Sequence, residues 1–322
     1  MNRLTDDRRS GCRPVIGVSS CLLGNEVRYD GSHKRNRFVV EEMAGYFDLE
    51  PYCPEVAIGM GVPRQPIRLV TRGDTVEAVG VRDPGLNVTG LLRDYSERIA
   101  GQVVYLSGFV FKKGSPSCGM ERVKVFDANL VPKANGAGLF ASAIMSSVPL
   151  LPVEEEGRLN DSALRDNFMT RVHVYQRWRL LRQTELSRAS LIGFHSNHKY
   201  LVMSRSTEIY RDLGRMLANL SVGSLSDIAD RYFTILMTAL RLPATRARHA
   251  NVLQHLLGYL KKDLSSDHRR DIARVIDDYR RGRYPLIVPL SMLQHHFNVH
   301  RNDYLADQVY LYPYDGSLSK DA

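Results

Sequence analysis

Cys21, Cys53 and Cys118 each follow a short apolar run, and a thiol just past a strand end can meet solvent, metal or substrate. Pro14-Val15-Ile16-Gly17-Val18-Ser19-Ser20 leads to Cys21, and Phe47-Asp48-Leu49-Glu50-Pro51-Tyr52 leads to Cys53. The longest run, Val103-Val104-Tyr105-Leu106-Ser107-Gly108-Phe109-Val110-Phe111, empties into Lys112-Lys113-Gly114-Ser115-Pro116-Ser117-Cys118-Gly119. Read alone, that loop is equally a tight turn with solvated lysines or a reactive thiol whose thiolate the lysines favour. Zinc sites usually bring close cysteine pairs, whereas here the spacings are 32 and 65 residues. Iron–sulfur clusters accept ligands far apart in sequence, and three thiolates on four irons leave one iron as an open Lewis-acid position. Spacing alone leaves core cysteines, a cluster, zinc and a redox thiol all standing. Cys12, among Arg, Ser, Gly and Pro, reads as part of a tail.

These thiols gain meaning from the elements around them. The pattern predicts a strand at 14–20, a helix presenting Val39, Val40, Met43 and Phe47, and a strand at 47–52. Strand, helix, strand is a parallel-sheet unit whose C-terminal strand ends share one edge, so the three cysteines are expected to converge there. Ile67–Thr71 and Thr75–Val81 read as a hairpin turning at Arg72-Gly73-Asp74. Helices are expected at about 89–101 and 138–147, and strands at 103–111, 121–126 and 148–153. Glu154-Glu155-Glu156-Gly157-Arg158-Leu159 reads as a charged linker. It divides an α/β domain, residues 1–153, whose sheet is mostly parallel with flanking helices, from an all-α domain, residues 154–322. In the second, helices are expected at about 167–183, 185–193, 196–220, 224–241, 246–262 and 266–281.

At 322 residues the chain can form two cores. No stretch approaches the roughly 20 apolar residues of a membrane-spanning helix. The polar start Met1-Asn2-Arg3-Leu4-Thr5-Asp6-Asp7-Arg8-Arg9 lacks the apolar run of a signal peptide, so a cytoplasmic protein with no membrane partner is expected. The net charge of +9 divides as +3 in residues 1–150 and +6 in 151–322, leaning towards polyanionic partners.

Ser19-Ser20-Cys21-Leu22-Leu23-Gly24, Tyr52-Cys53-Pro54-Glu55 and Lys113-Gly114-Ser115-Pro116-Ser117-Cys118-Gly119 together resemble the thiouracil desulfidase family, over about residues 12–152. Phe194-His195-Ser196-Asn197-His198-Lys199-Tyr200 and Tyr284-Pro285-Leu286-Ile287-Val288-Pro289-Leu290 resemble a helical domain found fused to it. The combination is similar to bacterial desulfidases that remove sulfur from 4-thiouridine in transfer RNA. The resemblance implies a [4Fe–4S] cluster on Cys21, Cys53 and Cys118, with the sulfur of a thiolated pyrimidine bound at the open iron. It also implies hydrolysis to uridine and hydrosulfide without net redox change.

The chemistry asks for a carboxylate to handle protons, and Glu55, two residues past a ligand, is best placed. Ser115 is expected to orient water or pyrimidine, with Ser117 as its substitute. Gly114 and Gly119 are expected to let backbone amides approach the site. One departure is Arg68, where free-thiouracil members tend to be acidic; a base there suits a nucleotide phosphate. Candidate contacts to tRNA are Arg35, Arg64, Lys112 and Lys113, with His195 and Lys199 one turn apart in the helical domain. The target base would have to be turned out of its stack. The alternatives are a desulfidase of free thiouracil or thiolated nucleotides, and a non-catalytic RNA-binding protein with a structural metal site.

Overall fold

A computed structural model describes residues 13–127, 129–184, 186–220 and 223–313; Cys12 and the N-terminal segment read above lie outside them. The described residues form two compact units that divide between Gln176 and Arg177.

The first unit holds an all-parallel sheet ordered β2-β1-β5-β8. Its strands are β1 (Val15–Ser19), β2 (Asp48–Tyr52), β5 (Gly108–Phe111) and β8 (Val153–Glu155). β1 pairs with β2 on one side and β5 on the other, so the strand order reverses at β1. That is where crevices open at the C-terminal ends of parallel sheets. β1 and β5 approach closely because Gly17 has no side chain: a Cβ there would run into the Phe109 ring. Gly17→Ala is therefore expected to cost about 1–3 kcal/mol of overpacking, read as a lowered urea midpoint at unchanged slope. Gly108 plays the same part on the other face, where a Cβ would come within 2.8 Å of the Val172 side chain.

A second sheet, ordered β4-β3-β6-β7, holds the expected hairpin β3 (Ile67–Arg72) and β4 (Thr75–Gly80). β6 (Val123–Phe126) runs parallel to β3, and β7 (Pro132–Gly136) antiparallel to β6. Its apolar face, with Leu69, Ala78 and Val125, packs with Leu92. Four helices complete the elements of this part of the chain: α1 (Pro54–Ala57), α2 (Thr89–Gln102), α3 (Leu139–Ser147) and α4 (Ser162–Gln183). The unit boundary falls inside α4.

Four local readings change in the first unit, and in the second the helices expected at 185–193 and 196–220 part at Ser206 instead, as Arg188–Arg205 and Thr207–Ala218. The β1–β2 crossover is a π turn at Phe38–Glu42 and a 3-10 turn at Met43–Gly45 instead of an α-helix, although Val39 and Met43 are buried as expected. The strand expected over 103–111 shortens to Gly108–Phe111, because Val103–Tyr105 forms a 3-10 turn closing α2. The last strand lies at Val153–Glu155, beyond the 148–153 expected. The acidic stretch read as a linker is thus an edge strand with Glu154 and Glu155 buried.

The second unit is all-helical: α5 (Arg188–Arg205), α6 (Thr207–Ala218), α7 (Leu225–Leu240), α8 (Arg246–Tyr259), α9 (Ser266–Arg280), α10 (Ile287–Val299) and α11 (Asp303–Ala306). Ser187, Ser206, Ser224, Thr245 and Ser265 each accept a backbone N–H at the start of a helix, which fixes where α5 to α9 begin. Trp178 stacks on Phe233 with ring centroids 4.6 Å apart, so the one tryptophan is core.

Three histidines of this unit are held neutral, His198 fully buried and His195 and His249 half-buried. Burial lowers His195 to about 4, His198 to about 3 and His249 to about 4. The unfolded chain protonates its histidines below about 6.5 while the native rings stay neutral, so their stabilisation is present above that pH and lost as pH falls towards 4. Urea titrations of the full chain are expected to give lower stability at pH 5 than at pH 7; a flat profile would contradict the burial.

Candidate active site at the strand ends

Each cysteine is positioned by a different turn. Cys21 sits in a single 3-10 turn, Ser20–Leu23, that follows β1 and ends at Gly24, whose φ of 98° suits glycine. Cys53 is the extended residue before α1, with Pro54 as the first helical residue. Cys118 lies in the loop after β5. There Ser115 Oγ accepts the amides of Ser117 and Cys118 at 3.3 and 3.1 Å, and the Gly119 amide donates to Ser115 O at 2.8 Å. The expected convergence is found: all three line one cavity of about 390 Å³ at the C-terminal ends of β1, β2 and β5. None is in a disulfide.

Burial dominates the thiols. It pushes Cys21 up to about 11, against the lowering effect of Lys112 and then Arg28. It raises Cys53 and Cys118 as well, the latter against a hydrogen bond with Ser19. The lysine pair therefore does not make a free thiolate, because desolvation outweighs it.

Glu55, on α1, faces the same cavity. Its Oε1 accepts Ser117 Oγ–H at 2.6 Å, and Ser117 Oγ stands 3.0 Å from Ser115 Oγ. Its Oε2 accepts Arg64 Nε–H at 2.9 Å, with Arg64 Nη2 at 2.8 Å. Arg64, 5% exposed, also donates to Val27 O and Gly61 O, each at 3.0 Å. Ser117 is the serine that reaches the carboxylate; Ser115 holds the loop and stands one hydrogen bond further away.

The expected contact residues fall into three groups. Arg64 and Lys112 line the cavity but are paired, Lys112 with Glu156. Lys113 lines it with an exposed side chain, its amide donating to Glu156 Oε2 at 2.7 Å. Arg35 lies outside the lining and pairs with Glu41 at 3.1 Å. Arg68 is also outside, on β3, donating to Val81 O at 3.3 Å. Gly114 has a φ of 69° with open space at its Cβ position, whereas a Cβ on Gly119 would collide with Val123, so Gly119 serves packing.

His195 and Lys199 belong to the helical unit. His195 Nδ1 lies 3.2 Å from Tyr232 Oη, and the Lys199 ammonium sits over the Tyr200 and Tyr304 rings at 5.1 and 4.9 Å. Ser19 and Tyr52, both inside the family motifs, line the cavity without an expected role, and Val27, Arg28 and Tyr29 line it from outside any motif. Arg28 and Tyr29 stand just before the basic loop 30–37 and carry the one available signal, an Arg-Tyr pair after a strand.

A carboxylate tied to a serine, facing two buried thiols and one half-buried thiol at a sheet's switch point, makes this cavity the candidate active site of an α/β domain. Residues 16–156 match the family model described as 2-thiouracil desulfurase, and residues 199–315 match one described as a protein of unknown function (DUF1722). The chain is 30% identical over 153 residues to uncharacterized protein YbgA of Escherichia coli (strain K12), spanning 47% of this chain and 90% of the relative. It is 35% identical over 117 residues to uncharacterized protein YbbK of Bacillus subtilis (strain 168), spanning 33% and 73%. Among solved structures, the [4Fe-4S]-dependent thiouracil desulfidase TudS shares 29% identity at a TM-score of 0.37, over 48% of this chain and 97% of that chain. The chain belongs to the 2-thiouracil desulfurase family through residues 16–156, and a helical DUF1722 domain follows.

Proposed function

We propose that this protein is a cytoplasmic, non-redox desulfidase that hydrolyses 4-thiouridine in transfer RNA to uridine and hydrosulfide, with a [4Fe–4S] cluster on Cys21, Cys53 and Cys118. The observation that carries the reading is the shared cavity, with three thiols and the Glu55–Ser117 hydrogen bond on its wall. Among the described residues no three of His, Cys, Asp and Glu are gathered closely enough for one metal ion. Three unpaired soft donors around one cavity fit a group that itself spans the gaps between them, which a single zinc ion does not. When bound, the cluster supplies a soft Lewis acid for the thiocarbonyl sulfur.

The chain's own residues handle water and protons. Ser117 Oγ, fixed by its donation to Glu55 Oε1 and its contact with Ser115 Oγ, keeps a lone pair for a water on the cavity side. Glu55 Oε1 is then the acceptor for that water's first proton as its oxygen adds to the carbon bearing sulfur; it passes that proton to the departing sulfur, which leaves as hydrosulfide, and takes up the remaining hydroxyl proton as the carbonyl forms. Arg64 holds Oε2 throughout, so the carboxylate cannot turn away. The cavity volume is near the lower end for small-molecule sites, which suits one flipped nucleotide and admits a free base as the second reading.

The test is anaerobic incubation with thiolated tRNA and, separately, free 4-thiouracil, followed by nucleoside digestion and a sulfide assay. Loss of 4-thiouridine with matching hydrosulfide supports the proposal. Turnover of the free base alone moves it to the second reading, and sulfide from neither leaves an RNA-binding protein. The full chain is used because removing residues 154–322 would also strip most of β8 and the Phe168 and Val172 side chains that pack over Gly108.

A further inference from the structure

The cations around the cavity divide sharply by partner. Arg64 is committed to Glu55 and Lys112 to Glu156. Lys34 and Lys113 line the cavity with exposed side chains, and no carboxylate pairs with either among the described residues. Arg28 also lines it, and its Nε is buried with no hydrogen-bond partner. The nearest carboxylate oxygen, Asp30 Oδ1, is 3.6 Å away and already accepts from Ser32 Oγ at 2.6 Å and Ser32 N at 3.2 Å. Arg28 thus has a charge partner in Asp30 but no acceptor for its enclosed Nε–H, a cost unless something supplies oxygens, and two unpaired ammonium groups line the same cavity. The only carboxylate in the cavity lining, Glu55, is itself neutralised.

We infer that Arg28, Lys34 and Lys113 form a phosphate-binding collar at the cavity mouth. It holds the backbone phosphates on either side of the nucleotide whose base enters, and makes the site selective for phosphate-bearing substrates over free bases. The inference rests on the proposed desulfidase reading and adds the residues that set its substrate class. A neutral pyrimidine gains little from three cations, whereas each phosphate oxygen gains a charge-assisted hydrogen bond. The collar draws on two loops, Arg28 and Lys34 after β1 and Lys113 after β5, which flank the switch point. Tyr29, 40% exposed beneath the Arg28 guanidinium at 5.3 Å, offers a ring face next to it. This is the role the sequence suggested for Arg68, which the fold turns to Val81 instead.

The experiment compares full-length wild type with Arg28→Gln, Lys34→Gln and Lys113→Gln. Arg72→Gln, on the hairpin, is the control. Two readouts are taken. The first is the ratio of KM for a short 4-thiouridine oligonucleotide to KM for free 4-thiouracil. The second is the affinity for uridine 5′-monophosphate, which needs no turnover. Each collar variant is expected to raise the ratio about tenfold and weaken monophosphate binding to a similar degree. The log–log salt slope for the oligonucleotide should fall by about 0.7 for each phosphate that is no longer held. A ratio and monophosphate affinity unchanged from wild type would overturn the collar, as would equal KM increases for oligonucleotide and free base. If no thiolated pyrimidine is turned over yet monophosphate affinity still depends on these residues, the collar stands and the desulfidase reading falls.

Discussion

Cys118→Ala is expected to yield a folded protein that takes up little iron under anaerobic reconstitution and releases no sulfide above background. The Cys118 side chain is enclosed, but its loop is held by other bonds. Ser115 caps it, Glu155 Oε1 accepts the Met120 amide at 3.0 Å, and Glu156 accepts the Lys113 amide. The loop amides therefore keep their acceptors when the sulfur is removed, and the centre is left with two donors in place of three. Iron and sulfide analysis, with circular dichroism as the folding control, reads the result. An iron-free variant that still desulfurates would end the cluster proposal.

Glu55→Gln is expected to retain its iron and lose about 10²–10⁴-fold in kcat, with a much smaller change in KM. Glutamine keeps the size and an oxygen for Ser117, so the wall of the cavity is preserved while the proton acceptor is gone. Arg64 is left with Val27 O and Gly61 O but no counter-charge, which adds a stability loss of about 1–3 kcal/mol. Single-turnover kinetics together with a urea titration separate the two effects. Wild-type kcat in this variant would remove Glu55 from the mechanism.

The strand-end thiols were legible because a parallel sheet gathers its C-terminal ends whatever lies between them, so Cys21, Cys53 and Cys118 needed only three correct strands. The hairpin at Gly73 and helices α2 and α3 were legible from period and turn chemistry alone. The pairing of cations was not. Arg64 and Glu55 are nine residues apart, but their contact depends on how the loop 59–66 returns to α1. Lys112 and Glu156 are 44 residues apart and meet only because β8 lies beside β5. Three glutamates in a row look like solvated surface in a sequence; here Glu154 meets Arg158, Glu155 the Met120 amide and Glu156 Lys112. α10 was missed because Pro285 and Pro289 bracket its start. Pro289 is tolerated there because a first-turn residue needs no backbone donor.

The edge strand β8 sets an order of events in biosynthesis. All three sulfurs have been synthesised once the ribosome passes residue 118, but the acceptors that hold both ends of the third loop, Glu155 and Glu156, come nearly forty residues later. A nascent chain stopped between those points carries all three site thiols but lacks the acceptors for the two ends of the third loop. The Cys118 loop is therefore expected to settle only when translation has completed the sheet, and a ribosome stalled in that interval would leave that thiol the most open of the three to oxidation.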